Sequence, residues 1–129
     1  FQALDSFEEP DLSITLAVAE AYLGMESLGD AQDWLFRAEK NCNQASKNEL
    51  ARLYKGLGHC AFYFKKYPDA LSHYNKAWAN SDTLLKQQTI ELSNSLGMTY
   101  QALGDVPKAL ENYEQAKLAL QQTCSQASS

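Results

Sequence analysis

The residues of this chain best suited to chemistry are a histidine beside a cysteine, His59-Cys60, and two adjacent carboxylates, Glu8-Glu9. A nucleophile must contact its base directly, yet neighbours on a helix point about 100° apart. Glu8-Glu9 precedes Pro10 in a stretch that predicts a flexible leader, where catalytic groups are not preorganised. We therefore expect no catalytic residue and a chain that is not an enzyme.

The cysteines give no sign of a metal or redox site. Cys42, Cys60 and Cys124 are far apart in the sequence and form neither a CxxC motif nor a Cys/His cluster. An odd, scattered set is typical of reduced thiols inside the cell. We expect no metal, no cofactor and a cytoplasmic location.

Composition limits the classes of partner. The 129 residues carry a net charge of −5, with 11 basic side chains against 16 acidic ones, which argues against nucleic-acid binding. No apolar run approaches the ~20 residues of a membrane span. The remaining expectation is a partner that is itself a protein or peptide.

Apolar spacing and turn residues predict helices only. Gly29-Asp30, Tyr67-Pro68-Asp69 and Gly104-Asp105 each separate two segments with apolar residues at i, i+3, i+4 and i+7. Proline fits the first turn of a helix, so Pro68 and Pro107 begin helices. The predicted helices are about 12–27, 30–44, 48–65, 68–80, 84–103 and 107–122.

One register of 39 residues recurs along the chain. The triplet Ala31, Leu35, Ala38 returns as Ala70, Tyr74, Ala77 and again as Ala109, Tyr113, Ala116. A second triplet, Val18, Ala19, Tyr22, returns as Leu57, Gly58, Ala61 and as Leu96, Gly97, Tyr100. Self-similarity at such a period is typical of a solenoid, whose units bury a core by stacking on one another.

This spacing resembles the tetratricopeptide repeat, whose pattern places Leu-Gly and Tyr on a first helix and Ala and an aromatic on a second. The third unit matches best, through Leu96-Gly97, Tyr100, Gly104, Ala109 and Tyr113. The family's basic period is 34 residues, so this chain resembles the long-helix variants of cell-polarity scaffolds and kinesin light chains. The five additional residues predict longer helices near 41–50 and 80–89.

The resemblance implies an all-α fold, a right-handed superhelical solenoid of three helix hairpins. The hairpins are expected at 12–45, 51–84 and 90–123, with a leader or the end of a preceding element at 1–11 and a polar tail at 124–129. It also implies a concave groove, lined by the first helix of each pair, that binds a peptide or partner segment.

The groove residues follow from the face opposite the predicted core. Arg52 and Lys55 are expected to receive a carboxylate, Asn94 to bond a peptide backbone, and Phe62 and Leu16 to take apolar anchors. An alternative is that Glu20 and Glu91 simply neutralise the two cations. The predicted partner-binding residues are Arg52, Lys55, His59, Phe62, Tyr63, Asn94, Met98, Leu16 and Glu20.

Three roles remain open for such a domain. The first is a scaffold or adaptor segment that binds a partner in the groove. The second is an assembly segment that forms a homodimer through an uncapped C-terminal helix with exposed Val106, Leu118 and Leu120. The third is a sensory or regulatory domain for a neighbouring effector.

Overall fold

Helices follow one another throughout the part of the chain that the structure describes. A computed structural model gives the backbone of residues 11–128 and the side chains of residues 11–122. No strand occurs among these residues, so the predicted all-α class is confirmed. The helices are α1 Leu12–Gly24, α2 Leu28–Lys40, α3 Lys47–Tyr63, α4 Tyr67–Ala79, α5 Lys86–Ala102 and α6 Val106–Ser128, with a 3₁₀ turn at Ser81–Thr83.

Local sequence explains where the helices begin. The Ser46 hydroxyl accepts a bond from the Glu49 N–H, and the Glu49 carboxylate accepts one from the Ser46 N–H, so a capping box starts α3. Pro68 lies in the first turn of α4, where its missing N–H has no helical partner. Asp105 Oδ1 accepts a bond from the Lys108 N–H at the start of α6.

The same tight turn joins the two helices of each pair. Glu26, Lys65 and Gly104 all have positive φ, at 61°, 63° and 87°. In each turn the next N–H bonds back five residues, as Lys66 N does to Ala61 O at 2.8 Å. This is the Schellman arrangement that ends a helix and reverses the chain.

In the stack, the first helix of each later pair packs on both helices of the pair before it. α3 packs on both α1 and α2, and α5 packs on both α3 and α4. Leu53 and Leu57 of α3 join the core formed by α1 and α2, while Leu92 and Leu96 of α5 join the core formed by α3 and α4. The stack is the solenoid that the sequence predicts.

Two helix ends differ from the predicted ones. α2 ends at Lys40 rather than near residue 44, and residues 41–46 and 80–85 connect the pairs. The additional length near 41–50 and 80–89 lies at the starts of α3 and α5, which have 17 residues each against 13 in α1, α2 and α4. α6 runs to Ser128, well into the predicted tail, since no Gly or Pro follows Pro107 to end it. The leader with Glu8-Glu9 and the side chain of Cys124 lie outside the described residues.

Candidate functional site

Arg52 on α3 is held by the carboxylate of Glu20 on α1. Arg52 Nη2 donates to Glu20 Oε1 at 2.7 Å, and Arg52 Nε donates to Glu20 Oε2 at 3.1 Å. Two parallel bonds fix the orientation of both side chains. The hydrogen bonds to Glu20 are the main cause that raises the pKa of Arg52.

Lys55, one turn further along α3, pairs in the other direction. Its Nζ lies 3.4 Å from Glu91 Oε1 on α5. The structure therefore has the alternative arrangement, in which Glu20 and Glu91 neutralise the two cations. An incoming carboxylate would compete with a glutamate already in place at each of them.

His59 separates two cavities along the groove. Its half-buried ring lies 5.1 Å from the ring of Tyr63, measured between centroids. Burial, and then the charge of Lys55, lowers the pKa of His59. The imidazole is consequently neutral at pH 7 and can both donate and accept a hydrogen bond.

The first cavity lies between α3 and α5 and holds about 330 Å³. The rings of Phe62 and Tyr67 meet edge to face there, 5.2 Å apart. Its walls are mostly apolar, which suits an inserted apolar side chain. We call it the aromatic cavity; its lining is His59, Phe62, Tyr63, Lys65, Tyr67, Tyr74, Ser95 and Met98.

The second cavity lies between α1 and α3 and holds about 350 Å³. The Arg52–Glu20 pair and Lys55 form its polar wall. We call it the charged cavity; the rest of its lining is Leu23, Gly24, Gly56, His59, Tyr74 and Ser95.

Tyr74 of α4 forms a floor that both cavities share with His59 and Ser95. Its ring reaches this position because Gly58 leaves the space: a Cβ on Gly58 would lie 2.7 Å from Tyr74 Cδ1. Burial raises the pKa of Tyr74 to about 12, while a hydrogen bond with Ser95 acts in the opposite direction. The floor is therefore a fixed, uncharged polar surface beneath the groove.

Two predicted groove residues lie elsewhere. Leu16 is 0% exposed and belongs to the core with Leu53 and Leu57, so its expected role as an exposed anchor is wrong. The cause is that α3 packs against this side of α1. Asn94 is exposed but lines a separate recess between α5 and α6, beside Tyr113, rather than either groove cavity.

The other seven predicted residues line one or the other of the two cavities. His59, Phe62, Tyr63 and Met98 line the aromatic cavity, and Arg52, Lys55 and Glu20 line the charged cavity. Sequence reasoning missed the contribution of Tyr67, Tyr74 and Ser95. The signal for Tyr74 was its recurrence opposite a glycine, which implies a ring that crosses the helix pair.

The reactive residues of the sequence have structural surroundings. Cys60 is buried, and burial raises the pKa of its thiol to about 11, so the nucleophilic thiolate is scarce. His73 stacks on Tyr54 with centroids 6.1 Å apart, and its Nδ1 is buried without a hydrogen-bond partner. Among the side chains that the structure describes, residues 11–122, no group of His, Cys, Asp and Glu has an arrangement suited to a metal ion.

Solved structures identify the fold. The TPR domain of Arabidopsis FLU superimposes with a TM-score of 0.72 at 20% identity, covering 86% of this chain and 95% of that one. This chain has a helical fold of the tetratricopeptide-repeat type. BtubC (BKLC) from P. vanneervenii superimposes with a TM-score of 0.77 at 20% identity, covering 94% of this chain. This chain spans 52% of the length of BtubC.

Comparison by sequence finds no match. No protein-family description matches the chain, and no curated protein matches it either. Among the helices that the structure describes, none has the length and apolarity needed to cross a membrane.

Proposed function

We propose that this chain is a non-catalytic protein-interaction domain that binds a segment of a partner protein in the groove across α1, α3 and α5. The observation that carries the proposal is the aromatic cavity between α3 and α5. Its volume of about 330 Å³ lies at the lower end of the ~300–1,000 Å³ range of ligand sites. One large apolar side chain of a peptide suits a cavity of this size.

Apolar contact, rather than charge, would supply most of the affinity. Arg52 and Lys55 already have carboxylate partners, so a ligand acid gains only the difference between two similar pairs. Met98 and Tyr63 are exposed at the rim of the aromatic cavity and lose water on binding. Buried aromatic and aliphatic anchors of this kind usually dominate the energy of an interface.

The fold supports this assignment without identifying the partner. Domains of the tetratricopeptide-repeat type generally mediate protein contacts. We propose a scaffold or adaptor role in the cytoplasm, with repeats at 12–45, 51–84 and 90–123. The recurrence of the same turn at Glu26, Lys65 and Gly104 supports a 39-residue repeat.

Selection from a displayed random-peptide library tests the proposal. Peptides retained by the wild type are measured by calorimetry against Met98→Glu and Tyr63→Ala, two changes at exposed rim residues. Each should weaken binding at least about tenfold, since about 1.4 kcal/mol of anchor contact suffices for that. The matched control, Leu110→Glu, alters an exposed residue of α6 outside both cavities and should leave binding unchanged. Equal affinities for all four proteins would show that the peptides do not bind in the groove.

A further inference from the structure

Both ends of the stack expose apolar side chains, Ile14 at one end and Leu120 at the other. At the C-terminal end, the face of α5 and α6 that a following helix would cover is open. Ile90, Tyr113 and Ala116 are only half-buried there, and recesses of about 380 and 360 Å³ lie beside them. Leu120 lines both recesses and is 54% exposed.

The corresponding face of the preceding pair is sealed. Ala51, Tyr74 and Ala77 occupy the positions 39 residues before Ile90, Tyr113 and Ala116, and they are 0%, 2% and 0% exposed. The seal is α5, which inserts Leu92 and Leu96 into the core of that pair. α3 seals the first pair in the same way with Leu53 and Leu57.

We call each contact between successive helix pairs a joint, and the first helix of the later pair the incoming helix. Both joints within the chain therefore use two aliphatic side chains four residues apart on the incoming helix. α1 carries such a pair in the same register, because Ile14 and Val18 lie 39 residues before Leu53 and Leu57. Ile14 is 57% exposed and Val18 is half-buried, so this stripe lies on a face of α1 that no helix of residues 11–128 covers.

From this match we infer that the open α5–α6 face binds α1 of a second copy of the chain, head to tail. Ile14 and Val18 of the incoming copy take the places that Leu53 and Leu57 have in the first joint. Two positions that carry charge in the internal joints are uncharged in this contact: Ser13 replaces Arg52 on the incoming helix, and Asn94 replaces Lys55 on the receiving one. The receiving recesses carry charges of both signs, from Glu91, Lys86 and Lys117.

The geometry distinguishes this assembly from a pairing of two α6 helices. A head-to-tail contact joins two different surfaces, so each added copy presents a fresh end and association continues. A pairing of α6 with itself joins identical surfaces and stops at a dimer. The groove remains accessible in the head-to-tail arrangement, and the inference does not depend on peptide binding there.

Complementation of two end variants tests the inference. Ile14→Glu removes the incoming stripe, and Leu120→Glu removes the receiving face; both residues are exposed, so each variant keeps its fold. Analytical ultracentrifugation of the wild type should show a weight-average mass that rises beyond twice the 14.4 kDa chain as concentration increases. Each variant alone should remain a monomer, and an equimolar mixture should form a one-to-one heterodimer through the single intact joint.

Three results would overturn the inference. The first is a wild type that stays monomeric up to about 1 mM, a concentration at which even weak complexes form. The second is an Ile14→Glu protein that still dimerises, which would assign the contact to α6 paired with itself. The third is a mixture in which the two variants fail to combine. Leu118→Glu makes the same change at an α6 residue whose counterpart 39 residues earlier, Ala79, remains exposed in the completed pair, so this variant should associate as the wild type does.

Discussion

The ring of Tyr74 lies directly over the backbone of Gly58. A Cβ at Gly58 would approach Tyr74 Cδ1 and Cε1 to 2.7 Å, closer than real Cβ contacts. Tyr113 and Gly97 repeat the relationship at 2.6 Å. The close fit brings α3 and α4 together and sets the height of the groove floor.

Gly58→Ala should therefore destabilise the fold. Tyr74 is almost fully buried and cannot move aside, so we expect a loss of roughly 1–3 kcal/mol in the free energy of unfolding, measured with urea. Gly97→Ala should cost less, because Tyr113 is only half-buried and can shift. Gly29→Ala, where a Cβ meets nothing within 4 Å, is the control and should be neutral or slightly stabilising. A Gly58→Ala protein as stable as the wild type would refute the packing described.

The turn after α1 offers a stabilising change. Glu26 has a φ of 61°, a conformation that costs a non-glycine residue about 1–2 kcal/mol. Glu26→Gly relieves that strain, but the greater conformational entropy of the unfolded chain offsets about 0.4–1 kcal/mol of it, so a net gain of up to about 1.6 kcal/mol is expected. Gly104→Ala, at a φ of 87°, should lower stability instead. Thermal unfolding of both variants tests this prediction. Melting temperatures that shift in the same direction for Glu26→Gly and Gly104→Ala would contradict it.

The Arg52–Glu20 pair should couple weakly and in a salt-dependent way. A double-mutant cycle with Arg52→Gln and Glu20→Gln should give a coupling energy of about 0.2–1 kcal/mol, since the pair is partly exposed. Arg52→Glu should destabilise more, because it places a carboxylate beside Glu20. Adding Glu20→Arg should restore stability. Absence of any coupling at low salt would mean that the pair does not form in solution.

Stability should rise with pH between about 5 and 7. The pKa of each of the two histidines is lowered, mainly by burial; at His73, Glu39 and Asp69 oppose this while Lys76 adds to it. The unfolded chain then binds more protons below its ordinary histidine pKa of about 6.5, so protonation favours unfolding. Stability is complete above that pH and is lost as the pH falls toward the lower folded-state values. His59→Gln combined with His73→Gln should flatten the curve above pH 6, and an unchanged slope would show that other groups cause it.

Helix positions could be predicted from sequence because they depend on local signals. Ser46 with Glu49, and Pro68 in a first turn, specify helix starts that no tertiary contact has to supply. The end of α6 was missed because the chain there contains no residue that stops a helix. A composition rich in polar residues was wrongly interpreted as the end of helical structure.

The groove was harder to predict because it depends on the rotation of one helix pair against the next. Leu16 was assigned to the exposed face of α1, a helix that is apolar on most of its surface, so periodicity gave no reliable inner side. The pairing of Lys55 with Glu91 joins residues 36 apart, and spacing alone cannot say which cation meets which acid. The aromatic cavity exists only once α5 lies beside α3.

The most direct test of groove binding uses the two methionines of the chain as reporters. Met98 lines the aromatic cavity, whereas Met25 is 69% exposed at the turn after α1. The protein is labelled with ¹³C at the methionine methyl groups, and the two signals are assigned with the Met98→Leu variant. It is then titrated with a selected peptide that calorimetry has already shown to bind. If the peptide binds in the groove, the chemical shift of the Met98 methyl group should change as the peptide saturates the protein, while that of the Met25 methyl group should not. A bound peptide that leaves the Met98 signal unmoved would contradict groove binding.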